Sequence, residues 1–152
     1  MIAYAAAVAC GCAPPTDDGG GVDAVPVFPN DYRATYRLVR DCRGSIEHAA
    51  TIRVYVNEIG ADAYLADANP LPLGTVVVKE EFVGTGCDND EELAVWSAML
   101  KREPGFDSAD GDWQWQEVIA PNRRVRLDDK TTCIQCHREP ECLKRDLMCA
   151  IP

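Results

Sequence analysis

Thr75-Val76-Val77-Val78-Lys79-Glu80-Glu81-Phe82-Val83 is the stretch that decides the fold. Three consecutive valines, with Phe82 and Val83 behind them, favour extended backbone, because branched and aromatic side chains pack well on a pleated surface. Alternation then sets Thr75, Val77, Lys79 and Glu81 on one face. Upstream, Ile52, Val54 and Val56 alternate with Arg53 and Tyr55, which is again the period of a strand. Between the two lies a short helical turn over 61–66, closed by Asn69-Pro70 and the Pro72-Leu73-Gly74 turn. Downstream, 94–100 and 113–119 read as two more strands joined by a loop containing Pro, Gly, Asp and Ser. The second sets Trp113, Trp115, Glu117 and Ile119 against Gln114, Gln116 and Val118. Long helical patterns are few and no internal repeat is present. The expected class is therefore α+β, a mostly antiparallel sheet with short helices.

A chain of 152 residues with 47% hydrophobic content suits one domain with one core. Its net charge of -10 leaves no basic stripe for phosphates, so nucleic acid is excluded as a partner, while small molecules and basic redox proteins are not. Eight cysteines point to an oxidising compartment, a bound cofactor, or both. Residues 1–12 read as an export segment: an apolar run ends at Ala7-Val8-Ala9-Cys10, a lipobox-like pattern. Cys10 is the preferred lipidated residue and Cys12 the second choice, while a frayed apolar tail is the plainer alternative. No Lys or Arg precedes the run, and it is far shorter than the roughly 20 residues of a spanning helix. Residues 13–31, with four prolines and three consecutive glycines, read as a flexible linker, leaving 32–152 as the folded domain. The expected location is the periplasm or the membrane surface, as an exported lipoprotein.

Cys133-Ile134-Gln135-Cys136-His137 is the run that carries chemistry. Two thiols three residues apart can add across the two vinyl groups of a porphyrin, and the next residue offers an imidazole to the iron. The expected cofactor is one covalent haem c, tethered by Cys133 and Cys136, with His137 as the metal ligand. The rival reading is structural zinc held by Cys133, Cys136, His137 and Cys142; it lacks the second pair that a zinc ribbon brings. Cys42, Cys87, Cys142 and Cys149 remain, and four cysteines allow three pairings. Local closure favours Cys142 with Cys149, which leaves Cys42 with Cys87. As sixth iron ligands, Met99 reads as core filling, Met148 sits too close in sequence to the proximal histidine, and His48 reads as a surface or capping residue. An open distal position follows. The three tryptophans read as core or haem-wall packing.

The layout resembles the cytochrome P-460 family, which includes the cytochromes c-prime-beta. The resemblance rests on Ile52-Arg53-Val54-Tyr55-Val56-Asn57, Leu73 to Glu80, Gly111-Asp112-Trp113-Gln114-Trp115 and the Cys133 to His137 run, in that order over roughly residues 50 to 140. It implies a mostly antiparallel sheet covering a covalently attached five-coordinate haem, and a homodimer. P-460 members oxidise hydroxylamine and carry a lysine bonded to the porphyrin edge; Lys79 matches that lysine. The c-prime-beta members lack the bond and bind nitric oxide and similar gases. Read without the family, Lys79 is an exposed edge charge. Two departures stand out. Arg53 lies two residues before Tyr55, where the family often has an arginine three before, so it turns to the other face. The carboxylate that hydroxylamine-oxidising members use as proton acceptor falls near Ser97 or Ala98, neither of which is a base, and Glu91 and Glu92 read as solvated loop charges. Two functions stay open: oxidation of hydroxylamine or a related small nitrogen species, with electrons passed to a redox partner, or gas binding and electron transfer without turnover. Lys79 favours the first and the absent base the second.

Overall fold

The computed structural model describes residues 22–46, 48–120, 122–131 and 133–149; the expected export segment lies outside them. Among the described residues, six strands pair in chain order as one antiparallel meander. They are β1 Arg37–Ser45, β2 Ala50–Val56, β3 Val76–Phe82, β4 Leu93–Lys101, β5 Trp113–Ile119 and β6 Arg124–Leu127. Four-residue helices α1 Tyr32–Thr35, α3 Ile134–His137 and α4 Pro140–Leu143, with the five-residue α2 Ala61–Leu65, complete the α+β layout. Strands expected from alternation are present. The two edge strands β1 and β6 were not expected, because β1 is charged and interrupted by register shifts and β6 is a four-residue Arg-Val-Arg-Leu. Charge and irregularity are what keep sheet edges from pairing with other chains, and they also erase the hydrophobic period.

The register sorts side chains into two apolar layers. Val54 pairs with Lys79 and Val56 with Val77, Lys79 with Ser97, and Ser97 with Glu117, so these residues share one face. On that face Ile52, Val54, Val56, Val77, Met99, Trp113 and Trp115 bury against Leu147 and Met148, with Cys133 and Ile134 packed alongside. The opposite face buries Tyr55, Val78, Phe82, Trp96 and Val118 against Phe28 and Tyr32. Residues of the expected linker therefore lie on the sheet: Phe28 is 3% exposed, and the Val27 amide donates to Gln116 Oε1 at 2.8 Å. Cys42 stands at disulfide distance from Cys87, and Cys142 from Cys149, the pairing preferred from sequence. The first joins β1 to the β3–β4 loop, and the second closes the segment after α4.

Phe82 is fully buried and Val83, one pleat on, is 69% exposed. Phe82→Ala should cost about 3–5 kcal/mol and Val83→Ala less than about 0.5 kcal/mol, as measured by urea denaturation; equal costs would contradict this register.

Candidate functional site

The CxxCH run is held by its flanks. The Lys130 carbonyl accepts from the Cys133 and Ile134 amides at 3.0 and 2.8 Å, starting the turn that becomes α3. Pro140 then opens α4, where its missing N–H leaves nothing unsatisfied. Asp110, 2% exposed, clamps both sides: it accepts from Arg138 Nε at 2.7 Å and Nη2 at 2.9 Å, and from the Lys130 ammonium. The Arg138 hydrogen bonds and the Lys130 charge hold its carboxyl below the ordinary range despite burial.

His137 projects from α3 onto β5. The Trp115 ring meets it edge to face, with centroids 4.8 Å apart. His137 Nδ1 lies 2.6 Å from the Leu147 carbonyl, which can only accept, so Nδ1 carries the hydrogen and Nε2 is left with its lone pair. Burial, reinforced by the charge of Lys79, pulls the His137 pKa down to about 4. A neutral imidazole with one nitrogen committed to a carbonyl is the form in which histidine binds metal.

Beside it on the same face lies a polar group. Lys79 Nζ stands 2.7 Å from His48 Nε2 and 3.2 Å from Glu81 Oε1, and Ser97 Oγ donates to Glu81 Oε1 at 2.5 Å. The Lys79 and Glu81 side chains are only 12% and 10% exposed. Burial works against the charge on Glu81, but Lys79, His48 and the Ser97 hydroxyl outweigh it and hold the carboxyl below its usual range. Glu117, across Ser97, is pushed the other way: burial raises it although Arg126 Nε donates to it at 2.6 Å. Two carboxylates facing one strand are thus driven apart in acidity, the pattern that separates a proton acceptor from a proton holder.

Several expectations need correction here. Lys79 does share the face of Val77, so the reading of it as an exposed edge charge fails. His48, expected on the surface, is three-quarters or more covered and sits on Lys79, because the turn between β1 and β2 folds over the end of β3. No carboxylate stands beside Ser97 on β4, but Glu81 of β3 and Glu117 of β5 flank it. Glu117 was legible as the next residue after Trp113 and Trp115 in the period-two pattern; only the register with Ser97 was missing. Arg53 turns to the other face as expected, donating to Asp41, Asp88 and the Cys87 carbonyl. Met99 and Met148 are both buried packing residues, and Cys142, beside Cys149, is withdrawn from the zinc alternative.

The sequence profile of the family described as Cytochrome P460 matches residues 29–148. The chain belongs to the cytochrome P460 family. The search of curated proteins finds no match. Membership in the cytochrome P460 family makes this a haem protein, and its residues fit that cofactor. Two cysteine side chains and the His137 imidazole, whose Nδ1 is taken by the Leu147 carbonyl, lie on one turn beside an apolar wall of Trp113, Trp115 and Met99. The buried indole Nε1 groups of Trp113 and Trp115 have no hydrogen-bond partner among the described residues. A native protein tolerates such orphans where a group bearing acceptors belongs.

Because the folded state favours ionised Glu81, its contribution to stability is full above the ordinary glutamate range and is lost as pH falls through the lower folded value. The stability gap between wild type and Glu81→Gln should therefore shrink as pH falls below about 4.3, read by urea midpoints at successive pH values. A constant gap would show that Glu81 is not held ionised.

Proposed function

We propose that this cytochrome P460 family protein is a c-type haem oxidoreductase that oxidises hydroxylamine or a related small nitrogen species. Cys133 and Cys136 would tether the haem through thioethers, and His137 Nε2 would donate to its iron. The observation that carries the reading is the buried Lys79–Glu81–Ser97 group, with Glu117 across it, on the sheet face that His137 also occupies. When bound, the haem supplies an electron sink and a coordination position for a small molecule. The chain supplies the proton chemistry. Oxidising an N–H or O–H bond releases protons, and Glu81, kept ionised at neutral pH by Lys79, is available to take one. Ser97 Oγ fixes its orientation, and Glu117, with its raised affinity for protons, can hold the next. Joined to the porphyrin edge, Lys79 Nζ would exchange one N–H and one ring C–H for a C–N bond, its proton passing to a base such as His48 at 2.7 Å and the two electrons to the external electron acceptor. The apolar wall of tryptophans excludes water from this chemistry. Electrons leave to a redox partner, for which the net charge of -10 favours a basic surface.

The test combines mass mapping with turnover of the mature holoprotein. Haem should survive denaturing electrophoresis in the wild type and be lost in the Cys133→Ala/Cys136→Ala pair. A tryptic peptide joining Lys79 to the haem peptide should be found. With an artificial electron acceptor, the wild type should oxidise hydroxylamine, and Glu81→Gln should lower kcat/KM by about 10²–10⁴-fold while carbon monoxide still binds. Free Lys79 in the mature protein, together with gas binding and no turnover, would replace this reading with that of a gas-binding cytochrome.

A further inference from the structure

The carbonyl that receives His137 belongs to a turn the chain would not adopt unaided. Asp146 and Leu147 have φ of 54° and 69°, two successive non-glycine residues in the left-handed region. That region is disfavoured for residues that carry a Cβ, so something else must hold the turn. Inside the loop that Cys142 and Cys149 close, a buried ion pair holds it. Asp146 Oδ2 accepts from Lys101 Nζ at 2.6 Å and from the Leu71 amide at 2.9 Å, and the two side chains are 6% and 9% exposed. Lys101 Nζ also lies 4.9 Å over the Trp113 ring. Gly111, at φ 66°, leaves the space this needs: a Cβ there would meet Asp146 Oδ1 at 3.0 Å. The pair thus ties the 145–148 segment to the end of β4 and the start of β5, the strand that also carries Trp115 onto His137.

We propose that Lys101 and Asp146 are positioning residues for the proximal ligand: by fixing the left-handed turn they aim the Leu147 carbonyl at His137 Nδ1, and so set how strongly Nε2 donates to iron. The proposal rests on the reading of His137 as the axial ligand. A carbonyl held at 2.6 Å draws on the Nδ1 hydrogen and makes the ring more basic; releasing the turn weakens that hydrogen bond and the donation with it. Neither Lys101 nor Asp146 touches His137 directly, and their effect passes through the backbone of Leu147.

The test uses holoprotein and two variants. Asp146→Asn keeps an oxygen for the Leu71 amide and a residue type that tolerates left-handed backbone, yet removes the charge. The double variant Lys101→Met/Asp146→Asn removes both charges, so no lone charge is left buried and the fold is retained. In both, covalent haem content should stay at the wild-type level, the iron–imidazole stretching frequency of the ferrous protein should fall, and the midpoint potential should rise. Asp67→Asn, which breaks only the exposed Arg145–Asp67 contact of the same segment, should change neither reading. An unchanged stretch and potential in the folded double variant would overturn the proposal alone. A wild-type spectrum with no stretch that depends on His137 would overturn the ligand reading, and this proposal would fall with it.

Discussion

An ammonium and a carboxylate side by side on a buried sheet face are costly unless each is the other's partner, and Lys79 and Glu81 meet that condition on adjacent same-face positions of β3. The rest of the site follows from this constraint. Because the pleat repeats every two residues, a β3 that buries Val77 toward the C-terminal segment must send Lys79 and Glu81 there too. Pairing with β4 then brings Ser97 opposite Lys79, and pairing with β5 brings Glu117 opposite Ser97. The polar group is assembled by register alone. No loop has to be positioned for it except the turn that carries His48.

The other face shows the same rule with a different outcome. Glu80 is completely buried; its Oε1 accepts from the Tyr32 hydroxyl and the Arg33 guanidinium, while its Oε2 has no hydrogen-bond partner among the described residues, and Trp96 Nε1 donates to Tyr32 at 2.8 Å. Burial and the neighbouring carboxylate push the Tyr32 phenol far above its usual range, so it remains a hydrogen-bond donor. Here the charge serves to lock the N-terminal segment onto the sheet. Two glutamates next to one another in sequence therefore take opposite duties, one structural and one facing the site, because a strand has two sides.

Much of this was legible in the amino-acid order. Valine-rich β3, alternating β2 and the aromatic period of β5 have strong local signals, and CxxCH is a local motif by its nature. What escaped has a common physical character: it is set by pairs distant in sequence. Glu117 reaches Ser97 only through the β4–β5 register, and His48 reaches Lys79 only because the β1–β2 turn folds over the sheet. Asp110 clamps Lys130 and Arg138 from across 20 and 28 residues. The edge strands escaped for the opposite reason, since charged edges carry no hydrophobic period to be read. Phe28 was hidden by its company, a single buried aromatic in a stretch whose prolines and glycines suggest a tether.

The division of labour on the site face has a mechanical logic. The CxxCH segment is too short to position a ligand by its own helix; α3 is a single turn of four residues. Its geometry is borrowed from three independent supports: the Asp110 clamp on both flanks, the Trp115 edge against the imidazole, and the Leu147 carbonyl held by the Lys101–Asp146 pair. Each support is rooted in β4, β5 or the β4–β5 connection. The strands that place Ser97 and Glu117 are thus the same strands that brace the imidazole. A movement of β4 and β5 together would carry Ser97, Glu117 and the supports of the His137 imidazole with it, so their relative geometry survives motions of the sheet edges.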